Sequence, residues 1–326
     1  MVRRQSVLAI ALVGVALAIL LLQLIVLPLV LLPLDLRWAW LLVPIALTTV
    51  PLWSLIHESI HGILLRDRAW NDRLGRVLAA GYGGPFALLK AGHLLHHRYS
   101  RTQRERTEVY DPERSTWLTA ARTYYPRLLG GLYLLELLSV VLVLLPRPGW
   151  RWLVRRTDSL DSVTGLLFER VARRDNLRKF RVEAIAVVVT YTGSSLAYGG
   201  HLWMLWSAVG ARALIVSLAD NAYHYRTRLE RPLDAMNLAL PRALEFFVLA
   251  FNLHNVHHRH PGLRWHELRA AYVADRDEIH LGWFTAVARQ FRGPIPLTAQ
   301  EVRPQPAAGT VPTWTAEMSG APSTSP

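Results

Sequence analysis

From Val7 to Leu34 the chain carries no charged residue, and Gln23 is the one strongly polar side chain in the run. A bilayer core takes about 20 apolar helical residues, so this stretch is long enough to cross, with tilt or with kinks at Pro28 and Pro33. Arg3 and Arg4 resemble the start of a signal peptide. The apolar run exceeds the short core of such a peptide, however, and no small-residue cleavage site follows it. It reads as a retained membrane helix.

Four more apolar stretches follow: Trp38 to Ile56, Leu128 to Leu145, Ala184 to Gly200 and Leu202 to Ala219. The first two of the five are separated only by Asp35, Leu36 and Arg37, and the last two by almost nothing, so each pair reads as a helical hairpin. Basic residues set the orientation. Arg3 and Arg4 precede the first hairpin, Arg66, Arg68, Arg73 and Arg76 follow it, and the segment from Arg147 to Arg181 holds ten basic residues against four acidic ones. All three flanks read as cytoplasmic. Leu128 to Leu145 therefore should not cross; it is expected as an interfacial or re-entrant helix carrying Glu136 after Gly130 and Gly131. Val77 to Leu89 is too short and glycine-rich to span, and suits a piece that dips into or lies on the membrane.

The expected fold is an all-α membrane protein with four transmembrane helices in two hairpins, interfacial or re-entrant helices, and a cytoplasmic helical cap. That unit should occupy residues 1–292. From Gly293 the chain turns rich in Pro, Ala, Ser and Thr without periodicity, so residues 293–326 are expected as a disordered tail. The formal charge of +13 is accounted for by positive-inside topology, and no motif organises the basic residues for nucleic acid. With no cysteine, disulfides, thiolate zinc sites and cysteine-ligated iron–sulfur clusters are excluded. Any metal here is held by nitrogen and oxygen.

Histidine supplies the nitrogen. HESIHG places His57 and His61 four residues apart at the end of the second apolar stretch. HLLHHR carries His93, His96 and His97, and HNVHHR repeats that spacing with His254, His257 and His258. DNAYHY adds His224 just past the last apolar stretch. On a helix, offsets of zero, three and four lie within about a 100° arc, so each triplet can aim its imidazoles into one space. With histidine at a frequency of roughly 0.04, about 0.02 copies of HxxHH are expected in a chain of this length. Two copies are no accident, and all nine histidines fall on the side that the basic residues mark as cytoplasmic. Neutral imidazole suits iron, zinc and copper. Nine nitrogens exceed what one first-row ion takes and fit two, with positions left open. Zinc brings no redox chemistry and needs only three protein ligands in a catalytic site, so two iron ions are favoured.

HxxxH, HxxHH and HxxHH, with a solitary histidine before the last box, resemble the membrane fatty acid desaturase and hydroxylase superfamily over most of Trp38 to Leu268. HPGLRWHEL resembles the ending of the last box in bacterial members. The resemblance implies a di-iron centre on the cytoplasmic ends of four long helices, with His57, His61, His93, His96, His97, His224, His254, His257 and His258 as ligands. O2 would be activated there to take hydrogen from an unactivated C–H bond. In acyl-CoA desaturases an asparagine four residues before the solitary histidine acts through water. Here Asp220 holds that position, with Asn221 beside it, and both are expected around the ligands.

HESIHG also matches HExxH, a zinc peptidase signature. A peptidase has no use for two HxxHH boxes, so Glu58 is expected instead to orient a ligand imidazole. Arg212 is a bare charge midway along the last apolar stretch and Glu136 is another. They are expected to pair, or Arg212 to face a polar path near the substrate, against the plainer reading of an arginine that snorkels to the interface. His201, His260, His266 and His280 are given no role, and Asp111 of TEVYDP reads as a turn residue.

The function expected is that of an integral membrane oxidoreductase, in a bacterial inner membrane with its site on the cytoplasmic side, desaturating a lipid acyl chain. It would use O2 and two electrons from a separate donor, such as a ferredoxin or cytochrome b5-type protein, and a basic cytoplasmic face favours an acidic donor. A hydroxylase or ketolase acting on a carotenoid, alkane or other lipid is the nearest alternative. A non-catalytic membrane metal carrier is the alternative of another class, and it would carry polar residues along several spans, where Arg212 stands nearly alone.

Overall fold

The computed structural model describes residues 2–157 and 162–299. Among the described residues the fold is helical, with strands of two residues each. Three helical stretches, Val7–Leu34, Trp117–Leu144 and Arg174–Ala222, are long and apolar enough to cross a bilayer. The count is four if Leu36–Leu47 and Thr49–His61, bent by 44°, form one span.

Proline shapes the first two stretches. Helix α1 (Val2–Leu21) widens into a π-helical segment over Leu22–Leu31. Pro28 within it has no N–H for the regular ladder, and the run ends in α2 (Leu32–Leu34). Asp35 turns the chain, accepting from Arg37 N at 2.8 Å. Helices α3 (Leu42–Leu47) and α4 (Thr49–His61) meet at the bend. Pro51 cannot donate to Leu47 there, and Thr48 Oγ1 donates instead to Ile45 O at 2.7 Å.

Helix α5 (Arg68–Tyr82) ends at Gly83, whose φ of +113° suits glycine, and α6 (Phe86–Tyr99) follows at once. The Val77 to Leu89 stretch is thus the turn between two helices. Helix α7 (Trp117–Pro126) leads through a break at Leu129 and Gly130, where φ reaches +119° at the glycine, into α8 (Leu132–Leu138). The break sits against Ala213. Helices α9 (Arg147–Arg156) and α10 (Val163–Ala172) connect to α11 (Arg174–Tyr198) and α12 (Leu202–Ala222). The last two form one helical stretch by hydrogen bonding, yet Arg212 Nη1 donates to Tyr191 Oη at 2.9 Å. A straight helix would hold residues that far apart in sequence about 30 Å apart. The chain therefore folds back at Gly199, where φ is +51°, into the expected hairpin.

Both ends of Trp117–Leu144 lie at the end of this hairpin remote from Gly199. Tyr124 packs against Tyr225, just beyond α12. Leu145 O accepts from Arg181 Nη2 at 2.6 Å, early in α11.

Four short helices follow the hairpin: α13 (Arg242–Phe247), α14 (His254–Arg259), α15 (Trp265–Ala274) and α16 (Trp283–Arg289). Two parallel pairings fasten this part of the chain, Val109–Tyr110 with Ile295–Pro296 and Leu238–Ala239 with Leu281–Gly282. Packed chain continues past the boundary expected at residue 293: Ile295 is buried and Gly293 O accepts from Tyr225 Oη at 2.7 Å. The rest of the expected tail, from residue 300, lies outside the described residues.

The expected Arg212–Glu136 pair does not form. Buried Arg212 donates to Gly81 O, Tyr82 O, Tyr191 Oη and Gln23 Oε1 at 2.8–3.3 Å, while Glu136 accepts from Tyr82 Oη at 3.1 Å. The guanidinium does not snorkel either, being 3% exposed. It joins the π-helical segment, α5, α11 and α12 because its planar fork reaches acceptors in several directions at once.

Candidate metal centre

Helix α4 ends on HESIHG, and its i, i+4 spacing puts His57 and His61 on one face, with ring centroids 4.7 Å apart. Gly62 then adopts the left-handed conformation, stopping the helix after the second ligand candidate. Helices α6 and α14 bring the two HxxHH boxes alongside, and the turn after α12 brings His224.

The nine histidines form two groups. In each, one ring nitrogen per residue lies within 4.8 Å of all the others: His57, His61, His93, His97 and His257 in the first, His96, His224, His254 and His258 in the second. The boxes do not aim as units, which departs from the expectation of one space per triplet. Helix α6 gives its i, i+4 pair His93 and His97 to the first group and His96 to the second. Helix α14 does the reverse, giving His254 and His258 to the second and His257 to the first. The adjacent residue of each HH pair is rotated by about 100° around the helix, so a helix lying between two groups serves both.

Within the first group, Nε2 atoms approach at 3.0 Å between His61 and His93, His93 and His97, and His97 and His257. In the second the spacings are 3.1 Å for His96 and His224 and 3.2 Å for His254 and His258. A ring nitrogen either donates one hydrogen or accepts through one lone pair. Nε2 atoms in a mutual cluster cannot all satisfy each other, and buried His57 Nε2 has no hydrogen-bond partner at all. A cation receiving the lone pairs satisfies every one. Burial, reinforced by neighbouring imidazoles, holds His93, His97, His254 and His257 well below the ordinary imidazole range. Burial does the same for His224 and His258. These rings are neutral, the form that binds metal.

Hydrogen bonds fix two tautomers. His96 Nδ1 lies 3.0 Å from Glu105 Oε1, and an ionised carboxylate only accepts, so the proton sits on Nδ1 and the lone pair on Nε2 faces the group. His258 Nδ1 lies 3.3 Å from Pro232 O with the same consequence. For His96, burial lowers the pKa but the Glu105 carboxylate outweighs it, and the net direction is upward. Glu105→Ala should therefore weaken metal binding at the second group by about 10–100-fold and leave the first group filled, as read by metal content after dialysis against graded chelator.

The residues expected around the ligands behave differently from one another. Asp220 lines a polar pocket with His96, Glu105, Arg127 and His224. Asn221 holds the turn that presents His224: its carbonyl accepts from His224 N at 3.1 Å and its amide donates to Gln290 Oε1 at 2.8 Å. Glu58 makes its hydrogen bond to Trp265 N, at 2.6 Å, and not to a histidine. With Arg264 Nε donating to Ile63 O at 3.1 Å, it ties the end of α4 to the RW of HPGLRWHEL. His260 bonds Asp275 at 2.7 Å, and His201, His266 and His280 stand outside both groups. Sequence reasoning missed Glu105, which sits between Arg104 and Arg106 in a loop. It also missed buried Arg101, which pairs with Glu108 and donates to Thr227 O at 2.7 Å, holding that loop against the turn after His224.

Fold and site together define a chain of membrane-length helices that brings nine histidines into two groups able to hold metal ions. The chain belongs to the fatty acid desaturase family, whose model, described as Fatty acid desaturase, matches residues 36–285. Members of this family are in general oxygen-dependent di-iron oxidoreductases of desaturase or hydroxylase type that act on lipids at a membrane. No curated protein and no solved structure gives a significant match.

Proposed function

We propose that this chain is a di-iron desaturase of a lipid acyl chain, and the observation carrying that reading is the convergence of nine histidines, six of them buried, into two adjacent groups. His57, His61, His93, His97 and His257 would hold one iron and His96, His224, His254 and His258 the other. Bound there, the irons would supply the oxidising chemistry: O2, two electrons and two protons are consumed, two hydrogens leave adjacent carbons, and two waters form.

The protein's share is placement and exclusion of water. Phe251 meets His57 edge-on at 5.1 Å, and Tyr223 stacks on His254 at 4.6 Å. These rings shield the groups from solvent and fix the imidazole planes. Glu105 and Pro232 O hold the tautomers of His96 and His258. The two electrons would come from a separate, acidic donor docking on the arginine-rich cytoplasmic face.

In this reading the chain crosses the membrane four times, through Val7–Leu34, the bent Leu36–His61 pair and the two arms of the α11–α12 hairpin. Trp117–Leu144 would enter and leave on one side. Its break at Gly130 and its contacts to Tyr225 and Arg181 at the same end of the hairpin support that. The arginines that precede the first span, follow the second and stand at both open ends of the α11–α12 hairpin favour the cytoplasmic side for the site, as in a bacterial inner membrane.

The test is turnover of purified, iron-loaded protein in phospholipid nanodiscs with a reduced ferredoxin. A new double bond with O2 consumption is the expected result. A hydroxyl or keto product moves the chain to the hydroxylase branch, and metal release across a vesicle membrane without O2 use would overturn the enzyme reading.

A further inference from the structure

Between α1, the α3–α4 bend and α13 lies an apolar cavity of about 320 Å³, within the range of pockets that bury small ligands. Its rim is hydrophobic and faces outward: Val15 is 57% exposed, Phe246 58% and Phe247 41%. Val15 belongs to the first membrane-length stretch, so this mouth opens at bilayer depth and not toward water. The inner end is closed by Gln23 and Arg212, whose polar groups bond each other at 3.0 Å.

One side chain connects this cavity to the metal centre. Leu249 lines it, and also lines a smaller space walled by Ser54, His57, Phe251 and His257. Leu249 and Ala250 both hold left-handed backbone, with φ of +54° and +52°, a conformation bulky residues seldom adopt. Ser54 Oγ donates to Val248 O at 3.0 Å and fastens that turn to α4. The turn holds Leu249 between the apolar cavity and two imidazoles of the first group.

We infer that the cavity is the bed for one hydrocarbon chain of a bilayer-resident lipid, admitted sideways between α1 and α13, and that Leu249 is the residue that gates its approach to His57 and His257. The inference rests on the function proposed above for the identity of the reaction, and it names the substrate class: a lipid taken from the membrane, not a thioester delivered from water. Walls without charge at the mouth match a chain already dissolved in the bilayer.

The experiment reads binding without turnover, so its outcome does not depend on catalysis. Iron-loaded full-length protein in phosphatidylglycerol nanodiscs carries, as probe, phosphatidylglycerol with a diazirine midway along one acyl chain. After photolysis, mass spectrometry maps the labelled residues. Label is expected on Leu52, Leu55 and Phe246. It should fall about tenfold in Ala16→Trp, which fills the bed, and in Val15→Trp, which obstructs the exposed mouth without burdening the core, a loss equal to about 1.4 kcal/mol of binding. Leu249→Ala should carry label inward to Ser54 and Phe251. Iron content shows that each variant is folded. Label insensitive to Val15→Trp overturns the bed, label unchanged by Leu249→Ala overturns the gate, and competition by a water-soluble acyl thioester overturns the substrate class.

Discussion

Protein carrying His257→Ala should retain about half the iron of the parent, one of the two ions proposed above, and should lose at least about a thousandfold in turnover, equivalent to about 4 kcal/mol of barrier. His257 Nε2 is 3.0 Å from His97 Nε2, and its ring lies 4.3 Å from His57 and 4.8 Å from His61. It is the one contribution of α14 to the first group, so its loss opens that group on the side facing the third box. His254→Ala should empty the second group instead, because its ring meets His224 and His258. Elemental analysis of the two variants, together with O2 uptake, checks the assignment. Equal loss of both irons in both variants would count against two separate groups.

The second large effect is expected from a residue that touches neither group. Arg212→Leu removes the donor for two backbone carbonyls, a tyrosine hydroxyl and a glutamine oxygen, all buried. Gln23 Oε1 loses its donor, while Gly81 O and Tyr82 O keep the Tyr191 and Tyr133 hydroxyls; a buried acceptor left alone costs about 1–3 kcal/mol and a lost hydrogen bond to a charged group about 1.5–3 kcal/mol, so the variant should lose at least about 3 kcal/mol of stability and most of its folded yield. Arg212→Lys should recover little, since one ammonium cannot reach four acceptors spread over the π-helical segment, α5 and α11. Thermal unfolding in detergent, followed by loss of bound iron, measures both. An Arg212→Leu protein as stable as the parent would remove the guanidinium from its place as the joint of the four helices.

Much of this was legible in the sequence for reasons that can be stated. Val7 to Leu34 announces itself because lipid tolerates only internally satisfied helical backbone, and nothing but apolar side chains will do there. The nine histidines are legible because one residue type recurs at fixed helical spacing, and all nine converge. What spacing could not tell was which imidazole faces which group, since a triplet within about a 100° arc fits one group or two equally well. Glu105 was hidden because a carboxylate that orients a ligand may sit on any nearby loop. Glu58 misled because HExxH has the same letters whether the acid faces a ring or, as here, caps Trp265 N. Arg212 was singled out correctly as costly but given the wrong partner: its acceptors are backbone carbonyls and a glutamine far off in sequence, and no periodicity encodes those.

The division of each HxxHH box between two groups has a structural corollary. Helices α6 and α14 each touch both candidate ion positions, so the span between those positions is inherited from the stiffness of two helical backbones. Loops have no say in it. Slipping either helix by a single residue would disturb the clientele of both positions simultaneously.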